Sequence, residues 1–491
     1  MAHANDNLRH RAVTGAVWYG GSRLIIQLIS WLVTLVVARL ISPSDYGLLG
    51  MALMYVGLVE FVNELGLGAA IVQFKEITTE DLDTIFWLGL GTSTVLYLLT
   101  LAAAPSVARF FHQPALVHLL WVTGVSFVIS GLRIVPWNLL TRDVDFKRRS
   151  IAESFGRLAG AGVTLLLAYR GWGVWALALG FLVPNVVMTV QVYLQSSWRP
   201  RLRFCRKSLR RCLGFSANVA GARMAWYLED NADQFIVGRF LGSQALGFYG
   251  FAQRFGTEMT GRILSILVQV AFPVYSRIQD ETERFKKLFL MSTELVCTLL
   301  FPLAIGLFLV ADDAIPWLLT EKWVPMILPL KILCWAVIPK TIHSLTGPPV
   351  LAKGGAALTF RYHVISLIIL SVSYFAGTYF GLPGVCFVLV TIYPLLVLYW
   401  ISSSRKMIGY EWQELGRALY PSLAGSAMML AMVLLAKSLI INLLPPKPLF
   451  RVSLIMLTGG ISYIGVVLLV SPGILQRTRA YLRRDSTLVI P

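Results

Sequence analysis

Long apolar stretches follow one another along most of the chain, and short polar or charged segments separate them. A helix that crosses a bilayer needs about 20 mostly apolar residues. By that criterion the pattern predicts fourteen membrane-spanning helices, near residues 13–38, 46–72, 85–108, 116–140, 150–169, 172–195, 213–238, 245–273, 288–311, 324–350, 362–380, 384–403, 418–440 and 452–471. The fold class predicted from this pattern is an all-α polytopic membrane protein.

Composition and charge agree with a membrane protein. Charged residues make up 14% of the chain and apolar residues 56%, whereas a soluble domain carries about 25% charge. The net charge is +18, and most lysines and arginines fall in the segments that are cytoplasmic if the N-terminus is cytoplasmic. The positive-inside rule therefore predicts that both termini are cytoplasmic, in a bacterial inner membrane. The surplus charge is explained by topology and anionic membrane lipid, so nucleic acid is not an expected partner.

A weak internal repeat relates residues 21–52 to residues 221–252. Eight of the thirty-two aligned positions are identical, including the pairs Arg23 with Arg223 and Gly47 with Gly247. Each copy runs from an arginine through an apolar span to a glycine-bearing turn and a second apolar span. Duplicated membrane units place a substrate site between two halves in many transporters.

The repeat and the charge pattern predict four regions. Residues 1–200 form a first lobe with spans one to six, and 201–212 form a basic cytoplasmic linker. Residues 213–404 form a second lobe with spans seven to twelve, and 405–491 hold two extra spans and a cytoplasmic tail. The stretch from Ser196 to Cys212 fits either an interfacial helix, with Leu202, Phe204 and Leu209 in the headgroups, or a solvated basic loop.

Motifs for metal, nucleotide or soluble catalytic chemistry are weak or absent in the sequence. The five cysteines form no CxxC pair, and there is no GxxxxGK[ST] motif, so neither a zinc site nor ATP hydrolysis is expected. Asp143 and Asp145 fit a DxD pattern, but three residues in a basic loop are poor evidence for metal. No predicted external loop is long enough to form a domain, which disfavours an enzyme, and no cofactor is expected.

Ionisable residues inside the predicted spans are the candidate functional residues, because each costs about 2.5–3.5 kcal/mol to insert at mid-membrane. Five arginines lie some eight to eleven residues from the cytoplasmic ends of five spans, roughly 12–16 Å deep. Guanidinium groups bind phosphate oxygens bidentately and keep their charge, so this level suits a phosphate-bearing substrate. The candidate substrate-binding residues are Arg23, Arg133, Arg157, Arg223, Arg254 and Arg262. The candidates for ion coupling are Glu60, Glu64, Glu229, Asp230, Asp233 and Glu258.

Local pairing is an alternative explanation for several of these charges. Glu153 and Arg157 are four residues apart on one helix face, and Glu258 is four from both Arg254 and Arg262. Those pairs could be purely structural. Arg23 and Arg223 have no acid within four residues, and therefore favour a functional role.

Several strings in the chain resemble the Wzx-type flippases of the polysaccharide transporter branch in the multidrug/oligosaccharidyl-lipid/polysaccharide exporter superfamily. The strings are VARLISPSDYGLLGMA at 37–52, ELGLGAAIVQFKEIT at 64–78, DVDFKRRS at 143–150, VGRFLGSQALGFYGFAQRF at 237–255, FPVYSRIQDETERF at 272–285 and EKWVPMILPLKIL at 321–333. The resemblance implies two six-helix lobes in a V plus two C-terminal helices. It also implies a cargo of undecaprenyl-diphosphate-linked oligosaccharide, flipped to the outer leaflet by alternating access, with polysaccharide polymerase or export proteins as further partners.

Other function classes remain open from the sequence. A multidrug or cation exporter of the same superfamily would present acids and aromatic residues without an arginine level. A membrane polymerase or ligase would carry a long external loop. A non-transport membrane partner of a polysaccharide synthase would not need charges at mid-membrane.

Overall fold

The regular structure of the chain is helical throughout the part that can be described. The computed structural model describes residues 29–63, 68, 71–72, 77–143, 145–439 and 448–473, with the backbone alone at 61–63, 146, 206–226, 258–259, 262–263 and 265–270. The α-helices of these residues are α1 (Ile29–Leu40), α2 (Pro43–Asn63), α3 (Thr79–Phe110), α4 (Leu116–Arg142), α5 (Phe146–Tyr169), α6 (Val174–Gln195), α7 (Arg206–Gln253), α8 (Met259–Arg277), α9 (Thr282–Leu319), α10 (Ile327–Ala352), α11 (Ala356–Thr378), α12 (Gly381–Ile408), α13 (Trp412–Leu439) and α14 (Pro448–Val470).

These helices confirm the predicted all-α membrane fold. Within the described ranges, ten helices are long and apolar enough to cross a membrane. Each predicted span from the second to the fourteenth coincides with helical structure, whereas most of the first span lies outside the described residues. The chain is therefore a multi-pass membrane protein.

Predicted spans seven and eight are joined without a loop. α7 runs through both, and Gly242 interrupts it with φ +83° and ψ −177°, a backbone conformation that glycine adopts without steric cost. A five-residue π-helical segment, Arg254–Glu258, then connects α7 to α8. The break at Gly242 falls where the sequence predicts the turn of the second repeat copy.

The chain divides into two compact units, Met1–Gly247 and Phe248–Pro491. The boundary lies inside α7, shortly after the break at Gly242. The division into lobes at 1–200 and 213–404, with a V between them, stays a prediction.

In the first unit, the segment after α6 is fixed to the start of α3. Residues 196–205 are irregular, and α7 begins only at Arg206. The indole of Trp87 donates a hydrogen bond to the carbonyl of Arg201 at 2.8 Å, and the Arg201 N–H donates to Asp83 at 3.2 Å. Leu202 and Phe204 remain exposed. The basic stretch is thus a held loop followed by a helix.

Prolines inside the helices are stabilised by aromatic donors from neighbouring helices. A proline lacks an N–H, so the carbonyl four residues earlier loses its helical partner. Pro136 frees the carbonyl of Leu132, which accepts from the Tyr193 hydroxyl of α6 at 2.8 Å. Pro302 frees that of Thr298, which accepts from Tyr463 of α14 at 2.7 Å. Each bond ties the proline-containing helix to a second helix.

In the second unit, α9 carries the two C-terminal helices. A buried apolar cluster joins α9 with α13 and α14, and includes Ile305, Leu309, Val433 and Ile455. Asp313 on α9 forms ion pairs with Lys437 of α13 at 3.5 Å and with Arg451 of α14 at 4.0 Å. The extra helices predicted after residue 405 therefore pack on one helix of this unit.

Candidate functional site

Two helix faces of the first unit bring charged and aromatic side chains together. On α4, residues 133, 137 and 141 are spaced by four, and so share one face. On α5, residues 149, 153 and 157 share a face in the same way. We call Arg133, Arg149, Glu153 and Arg157 the arginine cluster.

Local sequence features set the position of α5. Asp145 caps the helix by accepting a hydrogen bond from the N–H of Arg148 at 3.1 Å. Gly156 and Gly160 allow α5 to approach α6 closely, since a Cβ at Gly156 would lie 3.0 Å from the carbonyl oxygen of Pro184. Small residues four apart are the usual means of close helix packing in membranes. The side chain of Arg157 is therefore presented from a rigid helix pair.

The Glu153 carboxylate lies between two guanidinium groups. Its Oε1 atom is 3.2 Å from Nε of Arg149, and its Oε2 atom is 3.9 Å from a terminal nitrogen of Arg157. The predicted Glu153–Arg157 pair is present, but Arg149 is the closer partner. The carboxylate side chain is 12% exposed, against 27% for Arg149 and 42% for Arg157.

Trp137 on α4 contacts two of the arginines. The guanidinium carbon of Arg149 is 4.7 Å from the centre of the indole ring, and that of Arg133 is 5.2 Å away. Such cation–π contacts stabilise a guanidinium in a particular place and orientation. Arg149 also donates a hydrogen bond to the hydroxyl of Thr141 at 3.2 Å, which fixes it further.

Arg133 extends the cluster toward α6. It donates a long hydrogen bond of 3.5 Å to the side-chain oxygen of Asn185. Glu60 of α2 and Glu153 are the acids whose charges act on Arg133, and Arg149 acts on it as a like charge. Within the arginine cluster, three guanidinium groups face one carboxylate. The arrangement can accept an anion with several oxygen atoms.

The structure brings together two of the six arginines predicted to bind substrate, Arg133 and Arg157. Arg254 lies in the second unit, is exposed, and has its guanidinium carbon 5.8 Å from the ring centre of Phe251. Arg23 lies outside the described residues, and so does Glu64. The side chains of Arg223, Arg262 and Glu258 also lie outside them, although their helices are described. The role predicted for these residues stays a prediction.

The acids predicted to couple ions lie on two helices. Glu60 is half-buried on α2. On α7, Glu229 is half-buried, Asp230 is exposed and Asp233 is buried, with Oδ1 accepting the N–H of Gln234 at 2.7 Å. Their role in ion coupling likewise stays a prediction.

Arg149, Trp137 and Asn185 belong to the site but are not among the residues predicted from the sequence. Arg149 falls in a basic loop if span five starts at residue 150, whereas α5 starts at Phe146. The spacing of 149, 153 and 157 and the capping residue Asp145 are signals that could identify it. Trp137 and Asn185 carry no comparable signal, because their role depends on which helices are neighbours.

The DxD residues have structural positions. Asp145 caps α5, and Asp143 follows the last residue of α4. Over the stretches of chain that the structure describes, no group of three or more His, Cys, Asp or Glu residues could hold a metal ion.

The fold is shared with two kinds of solved transporter. Lipid II flippase MurJ, in an inward closed conformation, matches with a TM-score of 0.75 at 14% identity, over 94% of this chain and 100% of that one. An inward-facing multidrug resistance MATE family transporter of the MOP superfamily matches with a TM-score of 0.62 at 16% identity, over 79% of this chain and 98% of that one. At these identities the matches establish the fold alone.

Curated relatives and a family model extend the comparison to sequence. Lipopolysaccharide biosynthesis protein WzxC of Escherichia coli K12 is 25% identical over 83% of this chain and 84% of its own length. Succinoglycan biosynthesis transport protein ExoT of Rhizobium meliloti is 24% identical over 82% and 80%. Teichuronic acid biosynthesis protein TuaB of Bacillus subtilis is 25% identical over 76% and 78%. These matches confirm the resemblance found in the sequence motifs. Residues 36–328 match the model described as "Polysaccharide biosynthesis protein", and the chain belongs to that family.

Proposed function

We propose that the protein is a flippase for undecaprenyl-diphosphate-linked oligosaccharide, which it moves from the cytoplasmic to the outer leaflet by alternating access. The observation that carries the proposal is the arginine cluster, in which guanidinium groups outnumber carboxylates inside membrane helices. Membrane interiors tolerate such an excess poorly. A substrate diphosphate would balance it.

The geometry of the cluster suits a diphosphate better than a single carboxylate. Arg149 and Arg157 converge on one small anion, Glu153, and Arg133 lies on the far side of Trp137's contact with Arg149. Bidentate guanidinium–phosphate contacts are among the strongest charge-assisted hydrogen bonds. The sugars and diphosphate would enter between the helices, while the polyprenyl tail stays in lipid.

The relatives support a role in glycan export. Their names place them in the biosynthesis of lipopolysaccharide, teichuronic acid and succinoglycan, and one of them is a transport protein. The fold is also that of a lipid II flippase. A transporter in the synthesis of exopolysaccharide, capsule or lipopolysaccharide accounts for both similarities, without an enzymatic step.

The proposed setting is a bacterial inner membrane with both termini in the cytoplasm. The held loop of residues 196–205 presents Arg199, Arg201 and Arg203 beside the exposed Leu202 and Phe204. That combination suits anionic headgroups at the cytoplasmic surface. Polysaccharide polymerase and export proteins are the proposed protein partners.

A cation exporter of the same superfamily is the rival function, and the second solved fold is of that kind. Such a protein needs a negative binding site. The arginine cluster is net positive, so it favours an anionic cargo.

A deletion strain tests the proposed function. Loss of the gene should cause lipid-linked repeat units to accumulate in the cytoplasmic leaflet, where an enzyme added to the outside of spheroplasts cannot reach them. Repeat units that still reach the outer leaflet in the deletion strain, with no related flippase present, would contradict the proposal.

A further inference from the structure

Glu153 occupies the position where an anionic ligand would contact Arg149 and Arg157. Each of its carboxylate oxygens points to a different guanidinium group, at 3.2 and 3.9 Å. The carboxylate itself is more buried than either arginine side chain. An anion arriving at the exposed guanidinium groups therefore meets Glu153 already paired with them.

A counter-charge of this kind is needed when no substrate is bound. Arginines within membrane helices are costly unless they are paired, and a partly buried ion pair loses several kcal/mol when one partner is removed. Glu153 supplies that counter-charge from within α5. A diphosphate with more oxygen atoms and more charge competes for the same N–H groups.

We propose that Glu153 is a competing counter-ion: it holds Arg149 and Arg157 in the empty site and leaves them when the substrate diphosphate binds. This inference rests on the proposed function. Arg149 stays in place during the exchange because Thr141 and Trp137 also hold it. The exchange needs only a rotation of the Glu153 side chain.

The exchange has a consequence for release. A carboxylate beside a bound diphosphate repels it, and the return of Glu153 to the two arginines offsets the loss of the diphosphate. Glutamine at this position keeps the shape and removes the charge. Glu153→Gln is therefore expected to strengthen binding and slow turnover, which a merely structural residue would not do.

The experiment measures the Kd of undecaprenyl diphosphate for the purified full-length protein in detergent at fixed ionic strength, together with its translocation rate in vesicles. Glu153→Gln should lower the Kd about tenfold, a factor that corresponds to about 1.4 kcal/mol. Its translocation rate should fall. Glu153→Asp, which withdraws the carboxylate by one methylene group, should give an intermediate Kd.

Glu414→Gln is the matched control, because Glu414 pairs with Lys286 at 3.2 Å outside the cluster. It removes the same charge and should leave the Kd unchanged. If neither Glu153 variant binds more tightly than wild type, or if either binds more weakly, the counter-ion exchange is wrong. If the wild-type protein itself does not bind undecaprenyl diphosphate, the proposed function fails instead.

Discussion

Gly47 and Gly247, at equivalent positions of the internal repeat, each lie against the backbone of the other copy's turn. A Cβ atom added at Gly47 would overlap the carbonyl oxygen of Ser243, and one added at Gly247 would overlap that of Pro43. Pro43 and Ser243 are also equivalent in the repeat. The contact is therefore reciprocal, as at an interface with two-fold symmetry. It gives the weak sequence repeat a structural meaning.

This crossing can be locked by a disulfide. The hydroxyl oxygens of Ser44 and Ser243 are 2.8 Å apart, so cysteine sulfurs at these positions are within reach of a bond of about 2.05 Å. Ser44→Cys with Ser243→Cys should crosslink under mild oxidation. If alternating access requires the turns to separate, the crosslinked protein should not translocate substrate until a reductant is added. Full translocation by the crosslinked form would show that the turns stay together.

Glycine is required at the crossing for steric reasons. Gly47→Ala or Gly247→Ala in the double-cysteine protein should sharply reduce the crosslink yield, because the added methyl group overlaps a carbonyl oxygen. Gly250→Ala is the matched control, since a Cβ there meets no atom within 4 Å. Equal yields from all three variants would argue against the close approach.

The Pro302 carbonyl partner predicts a coupling between two residues. Tyr463→Phe leaves the Thr298 carbonyl without its donor and should lower the free energy of unfolding by about 1 kcal/mol. In a Pro302→Ala background, the restored N–H supplies that carbonyl from within α9, so the same change should cost less. Unfolding in detergent mixtures measures both losses. Equal losses in the two backgrounds would contradict the explanation.

Trp137 should determine how well the arginine cluster binds an anion. Trp137→Leu removes the ring that contacts Arg133 and Arg149, at about 0.5–2 kcal/mol for each contact. We expect the Kd for undecaprenyl diphosphate to rise roughly tenfold, and Trp137→Phe to have a smaller effect. Trp172→Leu, at an exposed turn position, serves as the control. An unchanged Kd in Trp137→Leu would mean that the ring only fills space.

The charge asymmetry predicts the topology. Reporters fused after Arg211, after Lys287 and at the C-terminus should report the cytoplasm, and one fused after Gly242 should report the outer side. An external C-terminus would contradict the predicted orientation and the even number of spans.

The spans could be predicted from sequence because about twenty apolar residues in a row have one plausible structure in a membrane. The site could be predicted only in part. Arg133 and Arg157 are recognisable as charges within apolar runs, whereas Arg149 lies in a basic segment that resembles a loop. Trp137, Asn185 and the donor pairs of Tyr193 and Tyr463 depend on contacts between helices. Such contacts leave no mark in the hydropathy of either helix.

The most direct test of the proposed function is translocation of undecaprenyl-diphosphate-linked oligosaccharide by purified protein in vesicles. Arg149→Gln and Arg157→Gln should each reduce the rate at least about tenfold, because each removes a bidentate phosphate donor. Arg148→Gln is the matched control, since Arg148 is adjacent on α5 but 57% exposed and paired with Asp145. We expect near-normal translocation by Arg148→Gln and a large loss in the other two. Wild-type rates from both cluster variants, at equal protein in the vesicles, would contradict a phosphate-binding role for the arginine cluster.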